Sequence, residues 1–171
     1  MKYAAWLCVT WMLLGLESPL LGSFSTQLFA PDVLVISALF IAHRGALLPG
    51  IVTVFAIGLL KDGFCLAAPV GVFTEVGVLV FLAMRVASRH NTLSTAISLM
   101  ATSAVATLFA TALFMLFETI FHREFGSHAQ ALRMALPLAL ITMLAAPLQF
   151  ALLDRIGAFF ERRSTSGSMF R

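Results

Sequence analysis

Six apolar runs follow one another along the chain, separated by short turns that contain polar residues, glycine or proline. They span residues 3–22, 28–42, 46–60, 69–87, 93–121 and 132–153. A helix that crosses a bilayer needs about 20 predominantly apolar residues. The pattern therefore predicts an all-α, polytopic membrane protein with six transmembrane helices, of which the second and third are short.

The two short runs allow two arrangements. Each holds about 15 residues, which make roughly 22 Å of helix against a hydrocarbon core of about 30 Å. They form either two short spans that thin the bilayer or a re-entrant hairpin with Arg44 deep in the membrane. Because an unpaired arginine at that depth costs about 2.5–3.5 kcal/mol or more, we favour two spans.

The first and sixth runs carry features of their own. Lys2 precedes the first run and small residues follow it, which is the layout of a secretory signal. The length of this run, the Glu17 within it and the spans that follow favour a retained helix. The sixth run contains Pro137 and Pro147, where we expect a kink or a local break.

Charge is scarce, which points to lipid as the main solvent. Only 11% of the 171 residues are charged and 60% are hydrophobic, whereas a soluble domain carries about 25% charge. We therefore expect one six-helix transmembrane domain over residues 1–155 and a basic cytoplasmic tail over residues 156–171. We attribute the basic excess to membrane orientation and not to nucleic-acid binding.

The distribution of basic residues predicts the orientation. With the N-terminus in the cytoplasm, three of the eleven Lys and Arg residues fall outside, namely Lys61, Arg123 and Arg133. The other eight fall inside: Lys2, Arg44, Arg85, Arg89, Arg155, Arg162, Arg163 and Arg171. The positive-inside rule therefore favours both termini in the cytoplasm.

The acidic residues are distributed the other way. Six of the eight fall in or near the outer half: Glu17, Asp32, Asp62, Glu75, Glu118 and Glu124. A carboxylate within an apolar run is costly unless it is paired, protonated or faces a cavity. The pattern indicates either snorkelling at helix ends, with Lys61, Arg123 and Arg133 as candidate partners, or a polar outer pocket or docking site for a partner helix.

Short motifs occur in a fixed order between residues 28 and 90. They are Pro31 with Asp32, Arg44 with Gly45, Gly58 with Asp62 in a GxxxD pattern, Pro69 with Gly71 in a PxG pattern, and Arg85. This order, the chain length and the six runs resemble the bacterial rod shape-determining MreD family.

The resemblance implies a function, a location and partners. It implies a non-enzymatic scaffold of the bacterial inner membrane that belongs to the cell-elongation assembly for peptidoglycan synthesis. The implied partners are a membrane-anchored MreC-like protein, the actin-like MreB filament, and a glycosyltransferase–transpeptidase pair. The implied fold is that of the substrate-binding subunits of energy-coupling-factor vitamin transporters. This keeps a second hypothesis open, namely a subunit of a membrane transporter that binds a small, vitamin-like molecule.

The motif residues also have explanations in helix and turn chemistry. Asp32 can accept from the free amides at a helix start, and Gly45 is free to take a positive φ. Gly58 lets another backbone approach. Asp62 is expected just past the end of the third helix, where it either completes a turn or belongs to an ordered loop that a partner contacts.

Small residues recur every four positions in the fifth run: Ser94, Ser98, Thr102, Ala106 and Ala110. Such stripes let helices pack closely in lipid. The stripe predicts packing within this chain or against another protein.

The sequence contains no recognisable catalytic motif. The four histidines have no zinc-binding spacing, and GxSxG, Walker A and GxGxxG patterns are missing. We therefore predict no enzyme, no cofactor and no metal. Cys8 and Cys65 fall on opposite sides of the membrane in this topology, so we expect no disulfide between them.

Overall fold

The computed structural model shows six α-helices in the residues that it describes. It describes residues 2–23, 30–64, 71–88, 95–122 and 128–166, and side chains in 2–16, 30–64, 71–88, 95–117, 119–120 and 132–160. The helices are α1 (Lys2–Ser23), α2 (Val33–Arg44), α3 (Leu47–Phe64), α4 (Val72–Ala87), α5 (Ala96–His122) and α6 (His128–Ser166). These residues contain no strand, which confirms the predicted all-α class.

The short helix α2 is the centre of the bundle. Its ten residues from Val33 to Ala42 are all buried, and it contacts every other helix. A helix that is apolar on all sides must be enclosed by other elements. The fully buried Phe40 ring is held edge-on by Trp6 of α1 and Phe150 of α6, with ring centroids 5.1 and 5.2 Å away.

The helices alternate in direction between two ends of the bundle. At one end, the Trp6 indole N–H donates to the Leu153 carbonyl and the Tyr3 hydroxyl accepts from the Ala46 amide. We call this the Lys2 end, and it holds the start of α1 and the later part of α6. The opposite end, where α2 and α4 begin and α3 finishes, is called the Asp32 end.

The outside of the bundle is apolar. Leu48, Ile97 and Leu148 are each at least three-quarters exposed, which is unfavourable for a protein surrounded by water. Among the described residues, three helical segments are long and apolar enough to cross a membrane: Leu47–Phe64, Ala96–Phe117 and Leu132–Phe160. The chain is therefore a membrane protein by helix length and surface composition.

The third helix is longer than predicted. It has 18 residues and reaches Phe64, so Asp62 lies inside its last turn and the prediction that Asp62 follows the helix end is wrong. An aspartate usually competes for backbone hydrogen bonds near a helix end. The Asp62 carboxylate does not do so here, because α4 occupies both of its oxygens.

The sixth helix also differs from the prediction. It runs for 39 residues through Pro137 and Pro147, so the local break expected as one outcome at the prolines does not occur. The predicted domain boundary after residue 155 falls inside this helix. Residues 155–166 contain no proline and a single glycine, so nothing in this segment stops a helix.

Only part of the predicted small-residue stripe faces the interior. Ala106 and Ala110 are buried, Ser98 and Thr102 are half-buried, and Ser94 lies outside the described residues. Four residues turn a helix by about 40° more than one full turn, so an i, i+4 stripe drifts around the helix. The buried face of α5 therefore also includes residues from neighbouring rows: Leu99, Ser103 and Thr107.

Gly58 marks the closest approach of α3 to α4. A Cβ atom at this position would lie 2.5 Å from the Thr74 Cα and 3.2 Å from the Phe73 carbonyl oxygen. Both are backbone atoms, which cannot rotate away. The predicted role of Gly58 in close backbone packing is confirmed.

The contact at Gly58 predicts a stability loss on adding one methyl group. We expect Gly58→Ala to lower the free energy of unfolding by about 1–3 kcal/mol, since α3 and α4 must separate. Gly63→Ala in the same helix is the control, because a Cβ there meets nothing within 4 Å; it should be neutral or stabilise by about 0.5–1 kcal/mol. Equilibrium unfolding in mixed micelles measures both, and equal effects of the two variants would contradict the packing argument.

Candidate functional site

Asp32 caps α2 and pairs with Lys61 at the end of α3. Its Oδ1 accepts the Val35 amide at 3.2 Å and the Lys61 Nζ at 2.8 Å. The two charged side chains are only 14% and 15% exposed, and the Lys61 ammonium also lies 4.8 Å from the Phe73 ring centroid. The cap was predicted from sequence, but the ion pair was not, because it joins residues far apart in the chain. The pair fastens the end of α3 to the start of α2.

Asp62 caps a different helix from its own. Its Oδ1 accepts the Phe73 amide at 3.1 Å, and its Oδ2 accepts the Thr74 amide at 3.1 Å and the Thr74 hydroxyl. The residue at the N-cap of α4 is Gly71, whose φ of 107° suits glycine and which has no side chain to cap the helix. Asp62 therefore supplies to α4 the acceptor that Gly71 lacks.

Asp62 is buried inside the bundle. The residue is 5% exposed and both carboxylate oxygens accept hydrogen bonds from α4. Its carboxylate therefore joins α3 to α4. The loop that follows, which was expected as one alternative to contact a partner, lies outside the described residues.

Arg85 performs the matching task at the Lys2 end. Its Nη1 donates to the carbonyl oxygens of Ala42 at 2.6 Å and Gly45 at 2.8 Å. These carbonyls belong to the last turn of α2 and the residue after it, which a helix leaves without partners. Arg85 thus ties the end of α4 to the end of α2.

Gly45 is required for space and not for a positive φ. Its φ is −93° and its ψ is 159°, so the prediction of a positive φ at this glycine is wrong. A Cβ atom would lie 2.7 Å from the Ile41 carbonyl oxygen and 3.1 Å from the Ile41 side chain. Among the described glycines, only Gly71 has the positive φ.

Arg44 lies on the surface of the bundle at the Lys2 end. Its Nη2 donates to the Asp154 Oδ2 at 3.0 Å, and the two side chains are 60% and 53% exposed. The turn that contains Arg44 therefore lies level with the start of α1 and the end of α4.

Glu75 is not brought into contact with Asp32, Asp62 or Arg85. It is exposed in the first turn of α4, and no described side chain lies within ion-pair distance of it. It borders an apolar groove of about 360 Å³ between α3, α4 and α5. We call this the Glu75 groove, and its lining residues are Phe55, Thr74, Glu75, Val78, Leu79 and Phe117.

A second cavity, the Asp32 cavity, opens among α2, α3, α4, α5 and α6. Its volume is about 300 Å³. Its walls are largely apolar, and Asp32, Lys61 and Thr111 contribute polar groups. A polar outer pocket was one of two alternatives expected from the sequence; this cavity lies at the Asp32 end, but its lining is mainly apolar.

A series of buried, hydrogen-bonded polar side chains through the bundle centre was not predicted from the sequence. The Gln149 amide of α6 donates to the Ser37 hydroxyl at 2.8 Å and to the Val33 carbonyl at 3.2 Å. Ser37 in turn shares a hydrogen bond of 3.2 Å with Thr10 of α1. Near it, the Thr142 hydroxyl accepts the Asp32 amide at 3.0 Å. Polar residues in the middle of apolar runs were the available signal, because lipid cannot satisfy them.

Several predicted residues lie outside the description. They are Cys65, Pro69, Arg89, Ser94, Arg123, Glu124 and Arg171, together with the side chains of Glu17, Glu118, Arg162 and Arg163. Arg133 is exposed, and Lys61, proposed as a partner of the intramembrane glutamates, pairs with Asp32. Cys8 is an exposed free thiol. In the part of the chain that the structure covers, no three His, Cys, Asp or Glu side chains are grouped to hold a metal ion.

Comparison of the chain with protein-family models, with curated proteins and with solved structures finds no match. Function is therefore inferred from the residues, their order along the chain and their geometry.

The two ion pairs should differ sharply in their contribution to stability. We expect Lys61→Met to lower the free energy of unfolding by about 3 kcal/mol, since it leaves the Asp32 carboxylate uncompensated in a nearly buried site. Arg44→Met is the matched control at an exposed pair of similar length and should cost less than about 1 kcal/mol. Unfolding titrations in the same micelle compare them, and a larger loss for Arg44→Met would refute this ranking.

Proposed function

We propose that the chain is a non-enzymatic scaffold of the bacterial inner membrane that belongs to the cell-elongation assembly, as the resemblance to MreD implies. Its role is to hold an MreC-like partner in the membrane, next to the MreB filament and the glycosyltransferase–transpeptidase pair. The observation that carries the proposal is a division among the charged candidate residues. Asp32, Asp62 and Arg85 hold the helices together, whereas Glu75 stays exposed beside the Glu75 groove.

The position of the turn between α2 and α3 supports a topology with six spans. The turn at Arg44 lies at the Lys2 end together with Arg85 and Asp154. In a re-entrant hairpin, Arg44 would lie at mid-membrane, so this turn would be partway along the neighbouring helices and not level with their ends. We propose that the Lys2 end faces the cytoplasm, in agreement with the positive-inside rule.

The fixed arrangement of α2, α3 and α4 supports a scaffold role. The Asp32–Lys61 pair, the Asp62 cap and the Arg85 contacts connect these helices at both ends. Such a unit presents its outer surface in one geometry, and preorganised surfaces lose less conformational entropy on binding.

The Glu75 groove is the surface that we assign to the MreC-like partner. A carboxylate on an apolar, lipid-facing surface is costly without a positive or hydrogen-bond-donating neighbour. The occupant that removes this cost is a transmembrane helix with an apolar face for Phe55 and Leu79 and a Lys or Arg near its outer end. Charge complementarity at Glu75 therefore defines the partner.

The assignment predicts that reversing one charge separates the partners. We expect Glu75→Lys to reduce recovery of the MreC-like protein at least about tenfold in copurification, because two cations then face each other in lipid. The same variant should fail to restore rod shape in cells that lack the protein. Replacing the partner's basic residue with Glu should recover binding to Glu75→Lys, and a merely structural effect would not produce this rescue.

Two controls separate docking from folding. Glu75→Gln should bind at an intermediate level, and Asp154→Asn should bind normally, since Asp154 is an exposed acid at the opposite end. Normal partner recovery by Glu75→Lys at normal expression would rule out docking at this groove.

A further inference from the structure

The Asp32 cavity is unused by the scaffold function proposed above. Its volume of about 300 Å³ equals the share of roughly ten molecules in liquid water. Pockets for small organic ligands begin at about this size. It lies among five helices, and both members of the ion pair that joins α2 to α3 line it.

The walls of the cavity favour an apolar occupant. Phe73 and Phe114 are stacked at its side, with ring centroids 5.4 Å apart and planes 25° from parallel. Val76 and Leu138 contribute further apolar wall. Water in such a space has few hydrogen-bond partners, so an apolar body gains by replacing it.

One polar acceptor remains available at the cavity. Asp32 Oδ1 accepts hydrogen bonds from Val35 and Lys61, whereas Asp32 Oδ2 accepts none from the described residues. A carboxylate has about four lone-pair sites, so Oδ2 can accept a hydrogen bond from an occupant. The cavity thus combines apolar walls with one acceptor.

The ion pair determines the charge of the occupant. The charges of Asp32 and Lys61 already compensate each other. A cationic head group on the occupant would be repelled by Lys61, and an anionic head group would be repelled by Asp32. A neutral hydrogen-bond donor avoids both costs.

We propose that the Asp32 cavity binds a small neutral amphiphile, with its apolar body against Phe114 and a hydroxyl or amide group that donates to Asp32 Oδ2. This inference goes beyond the scaffold function and stands without it. The bound molecule would stabilise the junction of α2 and α3.

A series of probes with one common ring tests the proposal. We would measure binding of 2-phenylethanol, ethylbenzene, phenethylammonium and phenylacetate to the full chain in lipid nanodiscs by saturation-transfer NMR. We expect 2-phenylethanol to bind about tenfold more tightly than ethylbenzene, because only the alcohol donates to the carboxylate. Both charged probes should bind more weakly than the alcohol.

Variants locate the binding. Ala110→Leu fills the cavity from α5, and Leu138→Phe fills it from α6. Each variant should abolish the difference in binding between 2-phenylethanol and ethylbenzene. Ala112→Leu, at an exposed position on α5, should leave it unchanged. If both filling variants fail to fold, the order of the four probe affinities for the unmodified chain still tests the proposal.

Three results would overturn the proposal. Equal binding of ethylbenzene and 2-phenylethanol would mean an apolar void that a lipid chain can fill. Tightest binding of phenylacetate would mean an anion site governed by Lys61. Binding that persists in both filling variants would mean partition into the bilayer. None of these results bears on docking at Glu75, which the copurification experiment tests separately.

Discussion

The need to satisfy the backbone groups at both ends of α2 is the constraint on which the rest of this structure depends. A helix leaves its first amides and last carbonyls without partners, and α2, at 12 residues and about 18 Å, is too short to carry those ends to a membrane surface by itself. Its neighbours must therefore supply the missing hydrogen bonds. Asp32 and Thr142 serve the amide end, and Arg85 serves the carbonyl end.

This constraint explains why charged residues sit inside an apolar bundle. Lys61 balances the Asp32 charge that the cap requires, and Asp62 caps α4 from the neighbouring helix α3. The Asp32 and Asp62 carboxylates and the Arg85 guanidinium satisfy backbone groups that lipid would leave unsatisfied. These three residues thus form one set of helix-end contacts, with close packing at Gly58 to bring α3 and α4 within reach.

Once these residues are assigned to the architecture, two features remain for function. Glu75 has the same charge as Asp32 and Asp62 but lies on the outer face of α4, beside the Glu75 groove. The Asp32 cavity lies inside the bundle, and one oxygen of its carboxylate is left over from capping. The first feature suits a helix of another protein and the second suits a small molecule, so the two proposals concern different surfaces of one rigid unit.

The six helices, their order and the apolar outer surface could be predicted from the sequence, because the length of an apolar run and the scarcity of charge are local properties of the chain. The sequence also identified Asp32 as a cap and Gly58 as a packing position, since both roles follow from residue type. The pairing of Lys61 with Asp32, the capping of α4 by Asp62, and the positive φ at Gly71 instead of Gly45 are visible only in the folded chain. The tertiary structure also placed α2 at the centre, linked to Thr10 and Gln149 by hydrogen bonds through Ser37. These outcomes depend on which helix ends meet in space, and residues far apart in the chain acquire that proximity only through packing.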